Sequence, residues 1–493
     1  MSSLKKLYVV FCSGLRAIKP KYFVWLFILA YTLFFSLYTV FKHYTFQTSA
    51  GDLGFYEQSF WSTLHGKFFY TTVWEDIGNT PFAHHFQPML FLLIPLYAIY
   101  PSPETLLVLQ SFFLALAALP LYWIAKKKLG EKGGVVFAAL YLIYPALHGI
   151  NQFDFHVEAF AISFLLFSFH YVEEKRYPKS FLFAFLALSC KEDVALTLVA
   201  LSLYLLWLNR KTLLNKKIKS KEIVFPLILI LISLAWFFLS VRVIVPHFNR
   251  KTEYIFLERF YPSFVKTSNP IPDLLYDWDK KTFFIILLLA PLEFLPLLNP
   301  YTFFITLPAL ATILFGRYPH AYVIGYQYSY AVISFLFVSA IYGLQRLKLN
   351  EKTLKRFFGS MLCIGIIFML FFSLTPLGVL RAVTSYTGEY RSFPEVTFHE
   401  KALYKILALI PGNESVSTQN NIFPHLSHRF NVYLGYKEDV SYILFDRKRE
   451  DPSFPFSSLE NILDTYGLVA SIDQILLYKR GYTGEPMNIT VDS

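Results

Sequence analysis

The chain has 493 residues, of which 55% are hydrophobic, 19% are aromatic and 16% are charged, with a formal net charge of +11. Soluble domains carry about 25% charged residues, so the composition excludes a large soluble enzyme and indicates a polytopic α-helical protein of the lipid bilayer. Excess positive charge is typical of cytoplasmic loops and does not favour nucleic-acid binding. The cysteines, Cys12, Cys190 and Cys363, predict neither a disulfide framework nor a cysteine-based zinc site.

The amino-terminal segment, residues 1–21, is basic, and the apolar run at 22–41 is long enough for one uncleaved span. Neighbouring basic clusters that share the cytoplasmic side must be separated by an even number of crossings. The first loop, 42–103, is therefore predicted to be external. Its apolar run at 88–100 is too short to span comfortably, so an interfacial or re-entrant helix is expected there. The positive-inside rule places the amino terminus in the cytoplasm together with the basic clusters at 126–132, 173–179, 209–222 and 346–356.

An apolar stretch at 180–208 is interrupted by Lys191, Glu192 and Asp193. Because both flanks are predicted to be cytoplasmic, the stretch is expected to form a hairpin of two short helices. Its charged bend would then be recessed below the outer surface, in a water-filled cavity. About eleven spans are predicted within residues 22–378, which also include an external loop at 246–281. The remaining apolar runs lie at 104–125, 134–150, 157–172, 223–245, 282–298, 301–316, 327–345 and 357–378.

Residues 379–493 are predicted to form a small α/β domain outside the membrane. "EKALYKILALI" has helical spacing, and "SSLENILDTYG" is expected to be a second helix. Strands are predicted at "ESVSTQ", "VSYILFD" and "ASIDQILLYKRG". Glycosylation sequons at Asn413 and Asn488 are compatible with an extracytoplasmic location. These features indicate a multi-pass plasma-membrane protein with a cytoplasmic amino terminus and an extracytoplasmic carboxy-terminal domain.

The polar residues of the predicted membrane region come from separate loops that share the outer side. Ionisable groups at membrane depth are costly and tend to mark function. Their convergence on one outward cavity is therefore the main functional prediction. They are Asp52, Glu57, His84, His85, Asp154, His156, Glu158, Lys191, Glu192, Asp193, Arg242, His247 and His320.

Asp52 follows Gly51 and precedes a predicted helix. Its carboxylate is either an N-cap or a general base, with or without metal assistance, for an acceptor hydroxyl. Glu57 lies five positions further on and points elsewhere on a helix. It is expected to be a local hydrogen-bond partner rather than a second catalytic acid, and it is included among the substrate-binding candidates.

His84 and His85 begin the short interfacial helix, where either could bind phosphate or a metal, or simply provide a polar helix start. Asp154, His156 and Glu158 alternate, so in an extended segment they share one face. Aspartate plus histidine is a partial ligand set for a divalent metal, with Mn²⁺, Mg²⁺ and Zn²⁺ left open. The candidate metal ligands are His85, Asp154 and His156, and the alternative is a hydrated loop.

Lys191 could neutralise a phosphate, with Glu192 or Asp193 binding an acceptor or orienting the lysine. The alternative is an internal ion pair that stabilises the bend. All three residues are placed with Asp52 as catalytic candidates.

The 246–281 loop opens with "PHFNRKTEYIFLERF", which mixes basic and aromatic residues. Arg250 in this string and Arg242 just before it could hold an anionic lipid head group, or could be ordinary interfacial anchors. His320 lies in a tyrosine-rich stretch that is either a further substrate contact or part of an interfacial belt.

The strings "FAHHFQP", "FDFHVEAF", "CKEDVA" and "NNIFPHLSHRF" are similar to a family of uncharacterised prokaryotic and archaeal predicted membrane proteins, over most of the chain. The first ~200 residues also resemble the GT-C superfamily of membrane glycosyltransferases, in which an Asp near the start of a long external loop precedes two helices lying along the membrane. "YEQSFWSTLHG" resembles the first lying helix and "HHFQPMLFLLIPLYAIYPSPE" the second. The second departs from the acidic-Lys-Pro start that its relatives often have.

The resemblance implies transfer of a sugar from a polyprenyl-phosphate donor to a glycan, lipid or protein acceptor on the external face. Asp52 would be the general base, and Lys191 with Arg242 would stabilise the departing phosphate. One alternative is a transporter or flippase for a lipid-linked or anionic solute, which should show related halves or paired broken helices. Another is a receptor-like protein, which leaves the recessed charges unexplained.

Overall fold

The computed structural model describes residues 19–215, 217–251, 254, 256–381, 392–449, 451–455 and 464–491. The predicted cytoplasmic segment 1–21 lies almost wholly outside these ranges, as does most of the helix predicted at "SSLENILDTYG". The part before residue 392 is helical, and the part after it contains a small β-sheet.

The first part consists of α-helices joined by short 3₁₀ and π-helical turns. Its α-helices are Pro20–Tyr44, Phe55–Leu64, Met89–Ile99, Pro103–Leu116, Ala118–Leu142, Pro145–Gln152, Ala159–Glu173, Tyr177–Leu188, Val194–Leu208, Arg210–Leu214, Lys221–Leu239, Val245–Phe248, Phe256–Phe260, Pro262–Thr267, Ile271–Leu275, Trp278–Leu289, Pro300–Phe303, Leu307–Leu314, Tyr330–Arg346 and Glu351–Phe372.

Five helical segments of the described chain are long and apolar enough to cross a bilayer core of about 30 Å, and several shorter apolar helices accompany them. A multi-pass membrane protein is therefore what the structure supports, while the count of about eleven spans stays a prediction. The long segments are Pro20–Tyr44, Pro103–Leu142, Lys221–Phe248, Gln327–Arg346 and Glu351–Phe372.

The segment Pro103–Leu142 is two antiparallel helices, because the chain leaves helical geometry at Gly130, with φ 80°. A Cβ at Gly134 would lie 2.9 Å from the carbonyl oxygen of Tyr122. In one continuous helix these residues would be about 18 Å apart, so the chain turns back on itself. The turn lies in the predicted basic cluster at 126–132.

Three of the predicted cytoplasmic clusters meet on one face of the molecule. Lys127 pairs with Glu174 at 2.6 Å, and Lys175 pairs with Glu222 at 2.7 Å. Helix Tyr177–Leu188 begins at this face and runs to the bend at residues 189–193. The charged bend therefore lies at the opposite end of that helix from the basic face.

The predicted hairpin at 180–208 is present as helices Tyr177–Leu188 and Val194–Leu208. At 1.5 Å per residue these are about 18 and 22 Å long, which is shorter than a bilayer core. The short helix Met89–Ile99 starts on their bend, since the Met89 N–H donates to the carbonyl oxygen of Ser189 at 2.9 Å. This contact brings the first loop to the charges of the bend.

The carboxy-terminal part has helices Phe398–Leu407 and Phe423–Leu426 and a five-stranded mixed sheet. The sheet order is β2-β1-β3-β5-β4, with β1 parallel to β2 and β3, and β5 antiparallel to β3 and β4. The strands are β1 (Val416–Thr418), β2 (Val432–Leu434), β3 (Tyr442–Asp446), β4 (Tyr466–Ile472) and β5 (Ile475–Arg480).

The prediction of a single strand at "ASIDQILLYKRG" is wrong, because the segment contains the turn of a hairpin. Asp473 and Gln474 form that turn with φ of 49° and 67°, which is the backbone that a two-residue hairpin turn requires. Strand β2 was not predicted. The helix predicted at "EKALYKILALI" is present, and a capping box of Thr397 and Glu400 fixes its start.

The carboxy-terminal domain packs onto the first loop. The ring of Phe423 fills the space above Gly54, where a Cβ would lie 2.7 Å from it. Gln58 donates from Nε2 to the carbonyl oxygen of Arg429 at 3.0 Å, and Lys437 pairs with Glu75 at 2.6 Å. The domain thereby covers the polar residues of the loop.

Candidate active site

A cavity of about 930 Å³ lies where the first loop, the charged bend and the carboxy-terminal domain meet. It brings together eight of the residues predicted from sequence and leaves six outside its lining. Those that line it are Asp52, His84, His85, Asp154, His156, Glu158, Lys191 and His320. Those outside are Glu57, Glu192, Asp193, Arg242, His247 and Arg250.

Asp52 lies in the π-helical turn Ala50–Gly54, immediately before helix Phe55–Leu64. Its Oδ2 accepts from the Ser49 hydroxyl at 2.6 Å, and its Oδ1 lies 3.0 Å from Nε2 of His156. The residue at the N-cap of the helix is Gly54, and no side chain caps it. The Asp52 carboxylate is therefore held by side chains at the cavity wall and does not cap the helix.

His156 is the buried partner of Asp52. Burial lowers the pKa of His156, but the hydrogen bond and the negative charge of Asp52 outweigh it, so the pKa is raised. The ring stacks on Phe153 with centroids 5.3 Å apart, and Gln110 accepts from the backbone N–H of His156 at 2.6 Å. These contacts fix the imidazole against the candidate base.

Asp154 supports the same turn. Its Oδ2 accepts from the backbone N–H of Ser49 at 2.7 Å, and its Oδ1 lies 3.5 Å from the Lys42 ammonium. Its φ of 45° is in the left-handed region, which aspartate adopts more readily than most residues, and Gln110 donates to its carbonyl oxygen at 2.6 Å. The carboxylate of Asp154 thus positions the chain that carries Asp52.

Lys191 reaches the cavity from the bend. Its Nζ lies 3.4 Å from Oε1 of Glu158, and its side chain is only 9% exposed. Glu158 also accepts from Gln87 at 3.5 Å, and Nζ lies 5.9 Å from the centre of the Tyr328 ring. An ammonium held in this way is a fixed positive charge in the cavity that Asp52 also lines.

The other two charges of the bend turn away from the cavity. Glu192 is fully buried, and its Oε1 lies 2.7 Å from Nδ1 of His85 and accepts from Tyr254 at 2.6 Å. Asp193 accepts from the hydroxyl of Tyr330. Glu192 therefore orients His85, while Asp193 ties the bend to a neighbouring helix.

Glu57 is fully buried behind the cavity wall, where burial raises its pKa despite its hydrogen bonds. Its Oε1 accepts from Tyr97 at 2.6 Å and lies 2.6 Å from Nε2 of His428. Glu57 was expected to have a local hydrogen-bond partner, but both of these partners are distant in sequence, by 40 and 371 positions. His428 belongs to the carboxy-terminal domain, so this carboxylate also joins the two parts of the protein.

Arg242 and Arg250 do not reach the cavity. Arg242 is exposed in the π-helical turn Ser240–Ile244, and Arg250 donates to the side chain of Asn79. A different arginine of the same basic and aromatic string, Arg259, lines the cavity with its guanidinium 5.0 Å from the centre of the Tyr318 ring. The string therefore contains an arginine that lines the cavity, but the sequence did not indicate which arginine it is.

The carboxy-terminal domain supplies part of the wall through Asn420, Asn421 and Arg449. Sequence reasoning missed these residues. Arg449 donates to the carbonyl oxygen of Phe46 at 2.9 Å and pairs with Glu400 at 2.6 Å. The string "NNIFPHLSHRF" contains both asparagines and was the available signal.

The three candidate metal ligands do not point at one another. His85 pairs with Glu192, Asp154 with Lys42, and His156 with Asp52. Across the described ranges, no group of three or more His, Cys, Asp or Glu side chains is arranged to hold a metal. These residues do not fit a protein-bound metal centre as they stand.

Residues 42–458 match the family model described as a predicted membrane protein, DUF2079. The chain belongs to the DUF2079 family. No curated protein sequence matches this DUF2079 protein significantly. The expected kinship with a family of uncharacterised predicted membrane proteins is confirmed.

Solved structures show the fold of this DUF2079 protein. ArnT from Cupriavidus metallidurans bound to undecaprenyl phosphate is 12% identical, with a TM-score of 0.51, and the match covers 92% of this chain and 97% of that one. For the same enzyme in the apo state the identity is 9%, the TM-score is 0.50, and the coverage is 87% and 93%. These likenesses show the fold, which is helical and GT-C-like, as expected.

A third structure, the Archaeoglobus fulgidus oligosaccharyltransferase in complex with Zn and sulfate, is 14% identical. The match covers 87% of this chain and 69% of that one, with a TM-score of 0.36.

Proposed function

We propose that this DUF2079 protein is a membrane glycosyltransferase that uses a polyprenyl-phosphate-linked sugar and a hydroxyl acceptor. The observation that carries the proposal is the Asp52–His156 pair, 3.0 Å apart, in a cavity that also holds the buried ammonium of Lys191. A fixed base and a fixed cation in one pocket suit a displacement that removes a proton and releases a phosphate. The ArnT neighbour bound to undecaprenyl phosphate supports a lipid-linked donor.

In this mechanism Asp52 takes the proton of the acceptor hydroxyl as its oxygen attacks the anomeric carbon of the donor. The new glycosidic C–O bond forms while the bond from the anomeric carbon to the phosphate oxygen breaks. The polyprenyl phosphate leaves with that electron pair, and Lys191 and Arg259 stabilise its charge. His156 orients Asp52 throughout and holds its carboxylate toward the cavity.

The active site and the carboxy-terminal domain lie on the extracytoplasmic face of the plasma membrane in this proposal. The paired basic clusters, at the opposite end of helix Tyr177–Leu188 from the bend, support this orientation, because such clusters favour the cytoplasmic side. A lipid-linked donor suits that face, since it needs no cytoplasmic nucleotide. The acceptor is a glycan, lipid or protein hydroxyl.

The test is release of polyprenyl phosphate from polyprenyl-phosphate sugars by the purified protein. Asp52→Asn is expected to reduce turnover by about 10²–10⁴-fold, the range for loss of a general base. Asp439→Asn is the matched control, because Asp439 is 77% exposed and pairs with Arg480 away from the cavity. Undiminished turnover in Asp52→Asn would remove Asp52 from the mechanism. Movement of lipid across vesicles with no release of phosphate would favour a flippase.

A further inference from the structure

Residues 256–278 expose a large apolar surface beside the cavity. They include three short helices, Phe256–Phe260, Pro262–Thr267 and Ile271–Leu275. Seven of their large apolar side chains expose between 39% and 65% of their surface. Soluble proteins rarely leave such a patch uncovered unless it marks an interaction site. The seven side chains are Leu257, Phe264, Val265, Ile271, Leu275, Tyr276 and Trp278.

The inner side of this segment is polar, where a soluble protein would place apolar side chains. Within residues 256–275, all of which the structure describes, Asp273 is the one buried residue. Its carboxylate accepts from the backbone N–H of Ser263 at 3.2 Å, from that of Phe264 at 3.0 Å, and from Nε of Arg317 at 2.6 Å. Hydrogen bonds and an ion pair therefore hold the segment from within, while its apolar side chains are exposed.

The segment starts where one candidate membrane span ends and stops beside the end of another. The first span, Lys221–Phe248, lies just before it in the chain and exposes Phe248 at its end. The helix that follows the segment contains Phe283, whose ring centroid lies 6.3 Å from that of Phe372, the last residue of the span Glu351–Phe372. Each of these spans begins in one of the basic clusters, so the segment lies at their opposite, predicted external ends.

The kinds of residue on the exposed surface suit the boundary between lipid chains and head groups. Tyr276 and Trp278 end the segment, and these two residue types are enriched at membrane interfaces. Lys266 is exposed on the same short helix as Phe264 and Val265. A lysine in such a place lays its apolar stem along the lipid and reaches anionic head groups with its ammonium. This mixture favours a bilayer as the partner of the surface.

We infer that the 256–278 segment, predicted from sequence only as part of an external loop, lies immersed in the outer leaflet of the bilayer. An interfacial helix buries its apolar face about 5–10 Å into the boundary between head groups and acyl chains. Phe256, Arg259 and Phe260 of the same segment line the cavity. A single layer of chain therefore separates the lipid from the cavity on this side. The inference concerns a lipid surface and stands whether or not the protein transfers a sugar.

The test is site-directed spin labelling of the full-length protein in vesicles of phosphatidylethanolamine and phosphatidylglycerol. A single cysteine is introduced as Phe264→Cys, Ile271→Cys or Leu275→Cys and is labelled with a nitroxide. The background is free of other cysteines through Cys12→Ser, Cys190→Ala and Cys363→Ala. Collisions of the nitroxide with molecular oxygen, which concentrates in lipid, are compared with its collisions with a polar nickel complex, which stays in water. The ratio of the two collision rates reports how deep each label lies.

Three further labelled positions calibrate this ratio. Leu231→Cys, at a residue 69% exposed within the span Lys221–Phe248, gives the value for lipid. Asn413→Cys, at an exposed position of the carboxy-terminal domain, gives the value for water. Met487→Cys is the matched control, because Met487 is apolar and 50% exposed on that same domain, and it is expected to give the value for water.

The labels at positions 264, 271 and 275 are each expected to shift the ratio away from the value at Asn413 and toward the value at Leu231. Labelled proteins are compared when their Tm matches that of the cysteine-free protein, and the three positions are read independently. A ratio equal to that at Asn413 in all three would place the segment in water and overturn the inference.

A second copy of the chain on this surface would give a different result. The labels would then be shielded from both reagents, and their spectra would show dipolar broadening that disappears on dilution with unlabelled protein. That outcome would also overturn the inference. Failure of the proposed function is seen separately, because the wild-type protein would then release no polyprenyl phosphate from any donor.

Discussion

Asn420 of the carboxy-terminal domain accepts from the backbone N–H of Ala50 through both its side-chain Oδ1 and its carbonyl oxygen, each at 2.9 Å. Ala50 begins the turn that contains Asp52, and Asp154 holds the preceding N–H of Ser49. The candidate base is therefore fixed from both sides, once by a loop of the membrane part and once by the carboxy-terminal domain.

Asn420→Ala is expected to lower kcat several-fold to about tenfold, with little change in KM, because a looser turn misplaces Asp52 in the transition state more than it weakens substrate binding. Asn420→Asp keeps an acceptor oxygen and should retain most of the activity. Steady-state kinetics at saturating donor measure the difference. Asn413→Ala, at an exposed position of the same domain, is the control. An unchanged kcat in Asn420→Ala would show that the hydrogen bond from Ala50 to the Asn420 side chain is dispensable.

Stability is expected to depend on pH through His156. Its pKa is raised in the folded protein, so its contribution is fully present below the unfolded value of about 6.5 and is lost as pH rises through the folded pKa. The Tm difference between wild type and His156→Asn should therefore be largest in mildly acidic buffer and should shrink on the alkaline side. Thermal unfolding from about pH 6 to 9.5 measures this difference in Tm. A Tm difference that grows with pH would contradict a raised pKa of His156 in the folded protein.

His428→Ala is expected to destabilise the protein by about 1–3 kcal/mol, because it removes a partner from the buried carboxylate of Glu57. Glu57→Gln has no carboxylate for His428 to pair with, so the double variant Glu57→Gln, His428→Ala should lose less than the sum of the two single variants. Urea unfolding of the wild type, the two single variants and the double variant gives the coupling free energy between Glu57 and His428. Strict additivity would mean that the pair does not join the domains energetically.

Arg259→Ala is expected to raise KM for a polyprenyl-phosphate donor by about tenfold, because it removes a cation from the cavity wall. Arg250→Ala is the matched variant, since Arg250 lies outside the cavity and bonds to Asn79. Donor titrations at two salt concentrations measure the effect. Equal effects of the two substitutions would indicate a general contribution of surface charge rather than a phosphate contact.

Chelation of divalent metals is expected to change turnover less than about twofold, because each candidate ligand already has another partner. The measurement is turnover after treatment with EDTA, followed by separate additions of Mn²⁺, Mg²⁺ and Zn²⁺. A loss of turnover that one of these ions restores would show that substrate or a rearranged side chain completes a metal site.

The break in the apolar stretch at 180–208 was predictable because three adjacent charges in such a stretch require water or partners. The directions in which these three side chains point were not predictable, because consecutive residues of a tight bend point in different directions. Their partners lie far along the chain, with Glu192 and His85 separated by 107 positions. Sequence periodicity contains no information about contacts at that range.

The same limit explains which cavity residues were missed. Asn420 and Arg449 reach the site only because their domain packs on the first loop. The path of the segment around Arg259 brings this arginine, and not Arg250, to the cavity. The hairpin at Asp473 and Gln474 escaped prediction for a local reason, because it lacks the Asn-Gly or Asp-Gly pair that usually marks such a turn.

The hydrogen bonds between Ala50 and Asn420 join positions that are 370 residues apart. A ribosome makes Asp52 early and Asn420 late, so a nascent chain carries the candidate base long before it carries the residue that holds its turn. A truncated translation product that ends before Asn420 lacks these hydrogen bonds. Under the proposed function, the turn at Asp52 would become rigid only after the carboxy-terminal domain has been made and has folded onto the first loop.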